Sequence, residues 1–385
     1  MVTLGHLSIS DKGKEYVNDC LNSNRLSRGK YTDKFEKDFS RLHGCSCGVF
    51  CNSGTSALQI ALAALKERHK YEDGDEVLVP AITFIATSNV VLQNNLKPVF
   101  VDVDPYTFNI DPDKIAEKVT SRTRAIIPVH LFGLPANMPR IMSIARYYGL
   151  NVIEDSCETM FAGVNGKSVG SFGDMACFST YVAHLIVGGV GGLVTTNDPV
   201  YDEMCRSLMS HGRDSIYTSI DDDDDKITKD MVERRYKFDL VGYSYRCTEI
   251  EAAIALSELE RWEDNIATRR HNAWLLTENL KGLPLQLPSI PVGYEHSFMM
   301  FPFVCNDEVD RDALLLHMEH KGIETRYMFP LLSQPIYRKL FGNLLEKYPI
   351  AKRLEKQGAF IGMHQGLADE DMFFIADTIK EHLKK

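Results

Sequence analysis

Val49-Phe50-Cys51-Asn52-Ser53-Gly54-Thr55-Ser56, with the small-residue stretch Ala57 to Leu65 behind it, decides how the rest of the chain is read. A short apolar strand ends at Cys51, and a turn of small polar residues opens a helix. The same alternation recurs downstream. Glu76 to Pro80 reads as a strand and Phe84 to Leu92 as a helix. Pro98 to Val103 and Ala125 to His130 are the next strands, then a helix from Met138 to Tyr148 and a strand from Asn151 to Asp155. Continuous apolar strands separated by helices predict a mainly parallel sheet covered on both faces.

Beyond about Glu249 the pattern changes. Glu249 to Glu263 and Ile266 to Leu280 carry apolar residues at helical spacing, and from Gly293 short strands mix with helices. The expectation is an α/β large domain over residues 1–260, N-terminal segment included, and a smaller C-terminal α+β domain over 261–385. The acidic run Asp221 to Asp225, closed by Lys226, reads as a solvated loop.

Composition narrows the classes. The 385 residues carry 43 Lys and Arg against 53 Asp and Glu, a formal charge of −10, which disfavours non-specific nucleic-acid binding. Nine cysteines, an odd number, form no complete metal set, so no metal site and mostly buried free thiols in the cytoplasm are expected. The N-terminus shows no basic stretch leading into an apolar run, so no signal peptide is expected. Met175 to Asn197 lacks charge, but its serine, threonine, histidine and glycine-rich turn fit two buried strands better than a membrane helix.

Three elements carry chemistry. Gly54 and Thr55 open a helix, where backbone N–H groups suit a phosphate, although Ser53 reads equally as an ordinary N-cap. Glu154-Asp155 ends an apolar strand, and a carboxylate there could hold the protonated nitrogen of a pyridine ring; a helix cap or a structural salt bridge is the rival. Ser179 ends an apolar strand, where open α/β sheets bind ligands, and Phe84 could stack on a ring or fill the core.

Together with Asn24 to Gly29, Pro80 to Thr87, His130 to Ala136 and Gly242 to Glu249, these motifs occur in family order. Over nearly the whole chain the sequence resembles the fold-type-I nucleotide-sugar aminotransferases that use pyridoxal phosphate (PLP), with their aspartate-aminotransferase-like large domain. The resemblance implies that Gly54, Thr55 and Ser179 hold the cofactor phosphate, Phe84 covers the ring and Asp155 pairs with its nitrogen. It places Glu158 where a glutamine is common, near the ring hydroxyl. It also implies a homodimer with shared active sites, in which Ser244, usually asparagine, reaches the neighbouring subunit's phosphate. A nucleotide sugar and an amino donor such as glutamate would be the partners. His211, Arg213, Arg326 and Tyr327 are candidate sugar or phosphate contacts, with surface pairing or packing as the plainer reading.

One position departs from that family. Ser179-Thr180-Tyr181-Val182-Ala183-His184-Leu185 has histidine where the cofactor-linking lysine belongs, and no lysine occurs between Lys167 and Lys226. Imidazole forms no stable Schiff base, but its ordinary pKa of about 6.5 suits proton transfer. Histidine here is similar to the 3-dehydratase branch of the family, which holds pyridoxamine phosphate (PMP) non-covalently. That likeness makes His184 the base that takes a proton from the cofactor methylene as the 3-hydroxyl leaves, giving a 3-deoxy-4-keto sugar. Leu185 stands where that branch usually has a second histidine. An aminotransferase whose lysine has been replaced, and a non-catalytic nucleotide-sugar-binding homologue, remain alternatives.

Overall fold

A computed structural model describes residues 1–214, 229–234 and 236–384; the acidic run from Asp221 to Lys226 lies outside the described residues. Five strands predicted from apolar runs, β1 (Cys47–Cys51), β2 (Glu76–Pro80), β3 (Lys97–Val101), β4 (Thr123–Ile126) and β5 (Asn151–Asp155), are present with small shifts at their ends. The regular part of β4 stops at Ile126. Pro128 has no N–H to donate, so the ladder continues past it only through a single bridge between Val129 and Asp155.

A two-stranded hairpin follows, β6 (Gly163–Val164) and β7 (Lys167–Ser168). The uncharged stretch forms β8 (Met175–Ser179) and β9 (Gly192–Thr196), paired antiparallel across the glycine-rich turn. The seven-stranded sheet runs β1-β9-β8-β5-β4-β2-β3. Its pairs are parallel except those made by β9, which opposes both neighbours. The C-terminal ends of β1, β5 and β8 therefore open on one edge, where Ser53, Asp155 and Ser179 emerge.

Helix α1 spans Asp11–Ser23, α2 Lys30–Leu42 and α3 Gly54–His69. Helix α3 is apolar almost all round, with Ala57, Leu58, Ile60, Ala61, Leu62, Ala64 and Leu65 buried, as expected of a helix pressed on the middle of a sheet. The start of α2 is tied down by Glu249, whose carboxylate accepts the N–H groups of Tyr31 at 2.6 Å and Thr32 at 3.1 Å. Helix α4 (Ile85–Gln93) starts at Phe84, and α5 (Met138–Tyr148) is capped by Asn137 and ended by Gly149 in the left-handed region.

Helices Glu249–Leu259 and Trp262–Leu280 precede a second, antiparallel sheet. It comprises β10 (Leu285–Gln286), β11 (Met300–Cys305), β12 (Thr325–Tyr327) and β13 (Gly358–Gly362), ordered β10-β11-β13-β12. Phe301, Phe303, Leu314, Met318, Ile361 and Ile375 build its separate core. Val2 joins that core and bridges Ile323, so the extreme N-terminus closes on the C-terminal sheet.

Candidate active site

The edge where β1, β5 and β8 end forms a cleft of about 810 Å³, walled on its far side by residues around β12. Gly54, Thr55, Phe84, Asp155, Glu158, Ser179, His184, Arg326 and Tyr327 all line it.

The phosphate end is built from backbone. Ser53 is extended, and its hydroxyl accepts the Ser56 N–H at 3.1 Å, leaving the first-turn N–H groups of Gly54 and Thr55 beside the cleft. A Cβ on Gly54 would lie 2.8 Å from Ser179 Cβ and from Cys157 Sγ, so these three residues meet in van der Waals contact. Gly192 is closer still: a Cβ there would sit 2.3 Å from the Ser53 carbonyl carbon and oxygen. The glycine-rich turn is thus what allows β9 to lie against the mouth of α3.

Successive side chains of a strand face opposite ways, and β5 uses this to separate two carboxylates. Glu154 points away from the cleft. It accepts the N–H groups of Phe172 at 2.7 Å, Gly173 at 2.9 Å and Gly170 at 3.0 Å, and lies 3.0 Å from the His130 ring. Asp155 points into the cleft. Its Oδ2 accepts the Thr87 hydroxyl at 2.7 Å and its Oδ1 the Cys157 N–H at 3.2 Å. Burial pushes the Asp155 carboxyl above the usual carboxylate range, against the pull of these donors. Among the described residues no lysine or arginine forms an ion pair with it.

Glu158 is 7% exposed, and its Oε2 accepts the Phe132 N–H at 3.0 Å. Burial pushes its carboxyl up to about 8, with the Asp155 charge adding to the shift, so it is a neutral acid at pH 7. Phe84 is not a core aromatic: it is 56% exposed and stands edge-on to Phe329 with ring centres 6.3 Å apart.

His184 sits in the loop between β8 and β9. Its Nδ1 lies 2.6 Å from the Cys157 carbonyl oxygen, which can only accept, so Nδ1 carries the proton. Nε2 is left as the unprotonated nitrogen, with no hydrogen-bond partner among the described residues. Burial pulls the imidazole down to about 4, with the Cys157 carbonyl opposing and the Arg269 charge adding. The ring is therefore a neutral base at pH 7. Lys167, the last lysine before this loop, lies in the β6–β7 hairpin with its ammonium over the Phe172 ring at 4.6 Å.

Three proposed contacts are elsewhere in this chain. Ser244 bridges Ser210 and lies 3.4 Å from Arg246, which in turn approaches the His211 ring at 3.3 Å. Arg213 stacks on Phe238 at 5.6 Å and lines a shallow surface depression. Thr83 and Thr87, not among the candidates named from sequence, also line the cleft. Their hydroxyls are 2.8 Å apart, and the i, i+4 spacing on either side of Phe84 was the available signal. Cys157 acts through its carbonyl, which no side-chain pattern announces.

Residues 8–380 match the DegT/DnrJ/EryC1/StrS aminotransferase family. The chain belongs to this family. It is 34% identical over 376 residues to GDP-perosamine synthase of Escherichia coli O157:H7, covering 97% of this chain and 96% of that protein. The structure of E. coli GDP-4-keto-6-deoxy-D-mannose-3-dehydratase with bound hydrated PLP superposes with a TM-score of 0.90 at 28% identity, over 98% of this chain and 99% of that one. A GDP-4-keto-6-deoxymannose-3-dehydratase with a trapped PLP-glutamate geminal diamine gives 0.89 at 27%, over 98% and 100%. This member of the aminotransferase family is accordingly a vitamin-B6-dependent enzyme of nucleotide-sugar chemistry with the α/β fold of fold type I.

The cleft fits such a cofactor. A buried carboxylate with no cationic partner suits a protonated ring nitrogen, which would offset its desolvation. Gly54 and Gly192 leave backbone where a phosphate needs close approach. Among the described residues no helix is long and apolar enough to cross a membrane.

Proposed function

We propose that this enzyme removes the 3-hydroxyl of a nucleotide-linked 4-keto-6-deoxy sugar, using PMP held without a covalent link and His184 as the base. The observation that supports this most is the state of His184: an imidazole at the cleft with Nδ1 fixed on the Cys157 carbonyl and a lone pair on Nε2, where the resemblance puts the family's lysine. Bound there, PMP would supply an amine for the sugar ketone and a ring able to take up the electron pair released on deprotonation.

On this reading Gly54, Thr55 and Ser179 bind the phosphate, Asp155 holds the ring nitrogen and Phe84 covers one ring face. Glu158, as a neutral acid, donates toward the ring hydroxyl as a glutamine amide would. His184 Nε2 takes up the proton and, as an imidazolium of low pKa, returns it readily to the departing hydroxide. On this reading Arg326 and Tyr327, on β12 and lining the cleft, bind the sugar nucleotide, with Arg326 also paired to Glu324. We assign Ser244, His211 and Arg213 to a homodimer in which their segment serves the partner's cleft. A large cofactor unit through residue 260, a smaller unit beyond, and a cytoplasmic setting complete the reading.

The test is reconstitution with PMP, a nucleotide-linked 4-keto-6-deoxyhexose and glutamate as the source of the reducing electron pair. Mass spectrometry should show a sugar lacking one oxygen. Unchanged sugar across several nucleotides, with PMP demonstrably bound, rules the proposal out.

A further inference from the structure

Helix Trp262–Leu280 buries a charged residue against the site's rear wall. Arg269 is 2% exposed; at that depth its two Nη groups find acceptors, while its buried Nε has no hydrogen-bond partner among the described residues. Its hydrogen-bonding partners are main-chain carbonyls. Nη1 reaches the oxygens of Met299 at 3.0 Å, Met363 at 3.2 Å and Phe298 at 3.3 Å, all beside the C-terminal sheet. Nη2 donates at 3.4 Å to the carbonyl of His184. The His184 residue is therefore gripped at three points: ring on Cys157, N–H on the Tyr181 carbonyl at 2.9 Å, and carbonyl on Arg269.

We propose that Arg269 is a positioning residue for His184: its planar fork pins the loop carrying the imidazole to the C-terminal sheet, keeping Nδ1 on Cys157 and Nε2 toward the cleft. This rests on the reading of His184 as the proton-transfer group. Arg269 does not itself line the cleft, so it acts through His184 and not on substrate. It also sets a fixed cation near the imidazole, which disfavours a second proton there. Other ionisable groups near the pair are Tyr181 on the His184 loop, Cys157 after β5, Glu258 and His364, which face Arg269, and His6, stacked on His364. A fork serves better than a point charge here, because one planar group spans carbonyls from separate segments.

A purely structural arginine would change stability but leave the His184 tautomer alone, and that distinction supplies the test. The full-length protein without cofactor is labelled with ¹⁵N-histidine, and the His184 resonances are assigned by their loss in His184→Gln. From pH 8 down to 5.5 the wild type should show a neutral Nδ1–H tautomer, with its titration midpoint near 4. In Arg269→Met the midpoint should rise as the nearby cation is lost, and the tautomers should mix. In Arg269→Lys the midpoint should stay low while the tautomers mix. A folded Arg269→Met protein, checked by circular dichroism, with unchanged His184 signals overturns the proposal. Should that variant not fold, an unchanged tautomer in Arg269→Lys overturns it equally. Absence of sugar dehydration with these signatures intact counts against the reaction, not against Arg269.

Discussion

The Nδ1 of His184 lies 2.6 Å from the main-chain oxygen of Cys157, two residues after Asp155. The turn that leaves β5 thus carries the carboxylate facing the cleft and also fixes the tautomer of the imidazole across it. A hydrogen bond to a carbonyl holds the ring in one orientation, and burial keeps it neutral.

The first prediction concerns the acid side of the rate profile. A base with a pKa of about 4 is fully unprotonated from pH 5.5 upward. His184 should therefore impose no acid limb on kcat/KM between pH 5.5 and 7. A limb near pH 6.5 that disappears in a His184 variant would contradict this. His184→Gln should lower kcat by about 10²- to 10⁴-fold, the usual worth of a positioned base, while PMP binding changes little.

The second concerns Asp155 and the hydroxyl behind it. Asp155→Asn removes the charge that would face a protonated ring nitrogen, so PMP affinity should fall by roughly tenfold or more. Thr87→Val leaves the charge in place and removes the 2.7 Å hydrogen bond to Oδ2, together with the 2.8 Å contact to the Thr83 hydroxyl. Its effect should be about 1 kcal/mol, near fivefold in Kd. Fluorescence titration with PMP measures both. Equal losses in the two variants would mean that the carboxylate acts only as a structural acceptor.

These residues also show what the chain made legible in advance. Strands β2 and β5 and helix α5 begin and end where apolar runs, Asn137 and Gly149 place them, because local periodicity and capping determine such boundaries. Asp155 could be singled out over Glu154 only through the family resemblance. Alternation along a strand separates the two, but which face meets the cleft depends on sheet order. Phe84 could not be distinguished from a core aromatic by composition; its 56% exposure follows from its place just before α4 at the cleft rim. Contacts made through backbone, such as those of Cys157 and Arg269 with His184, leave no mark on side-chain pattern.

The third prediction tests the close approach at the phosphate end. Gly192→Ala would put a methyl group 2.3 Å from the Ser53 carbonyl, and backbone on both sides leaves no flexible chain end to yield. Strand β9 and the mouth of α3 must then separate. Stability should fall by more than about 2 kcal/mol, the scale of overpacking, and PMP affinity should fall with it. Thermal unfolding with and without PMP checks this; a stable variant with unchanged affinity would show that the contact carries no constraint.

The fourth prediction follows from the neutral state of Glu158 and has a definite sign. Its folded pKa, about 8, lies above the ordinary 4.5, so between these values the folded chain binds a proton that the unfolded chain has lost. Stability rises with pH only where the unfolded state binds more protons, and here the reverse holds. The contribution from Glu158 is therefore fully present below about pH 4.5 and is lost as pH climbs through 8. Above that, a charged carboxylate sits buried near Asp155 with the Phe132 N–H as its donor. Glu158→Gln preserves shape and neutrality without the titration. In cofactor-free protein the two should have similar unfolding free energies near pH 5. The glutamine variant should gain on the wild type from about pH 5 to 8, at up to about 1.4 kcal/mol per pH unit, and level off above that. Parallel denaturant titrations at pH 5, 7 and 9 read this directly. A constant difference across the series would mean that Glu158 ionises normally in the folded chain, and its role as a neutral donor to the ring hydroxyl would fall with it.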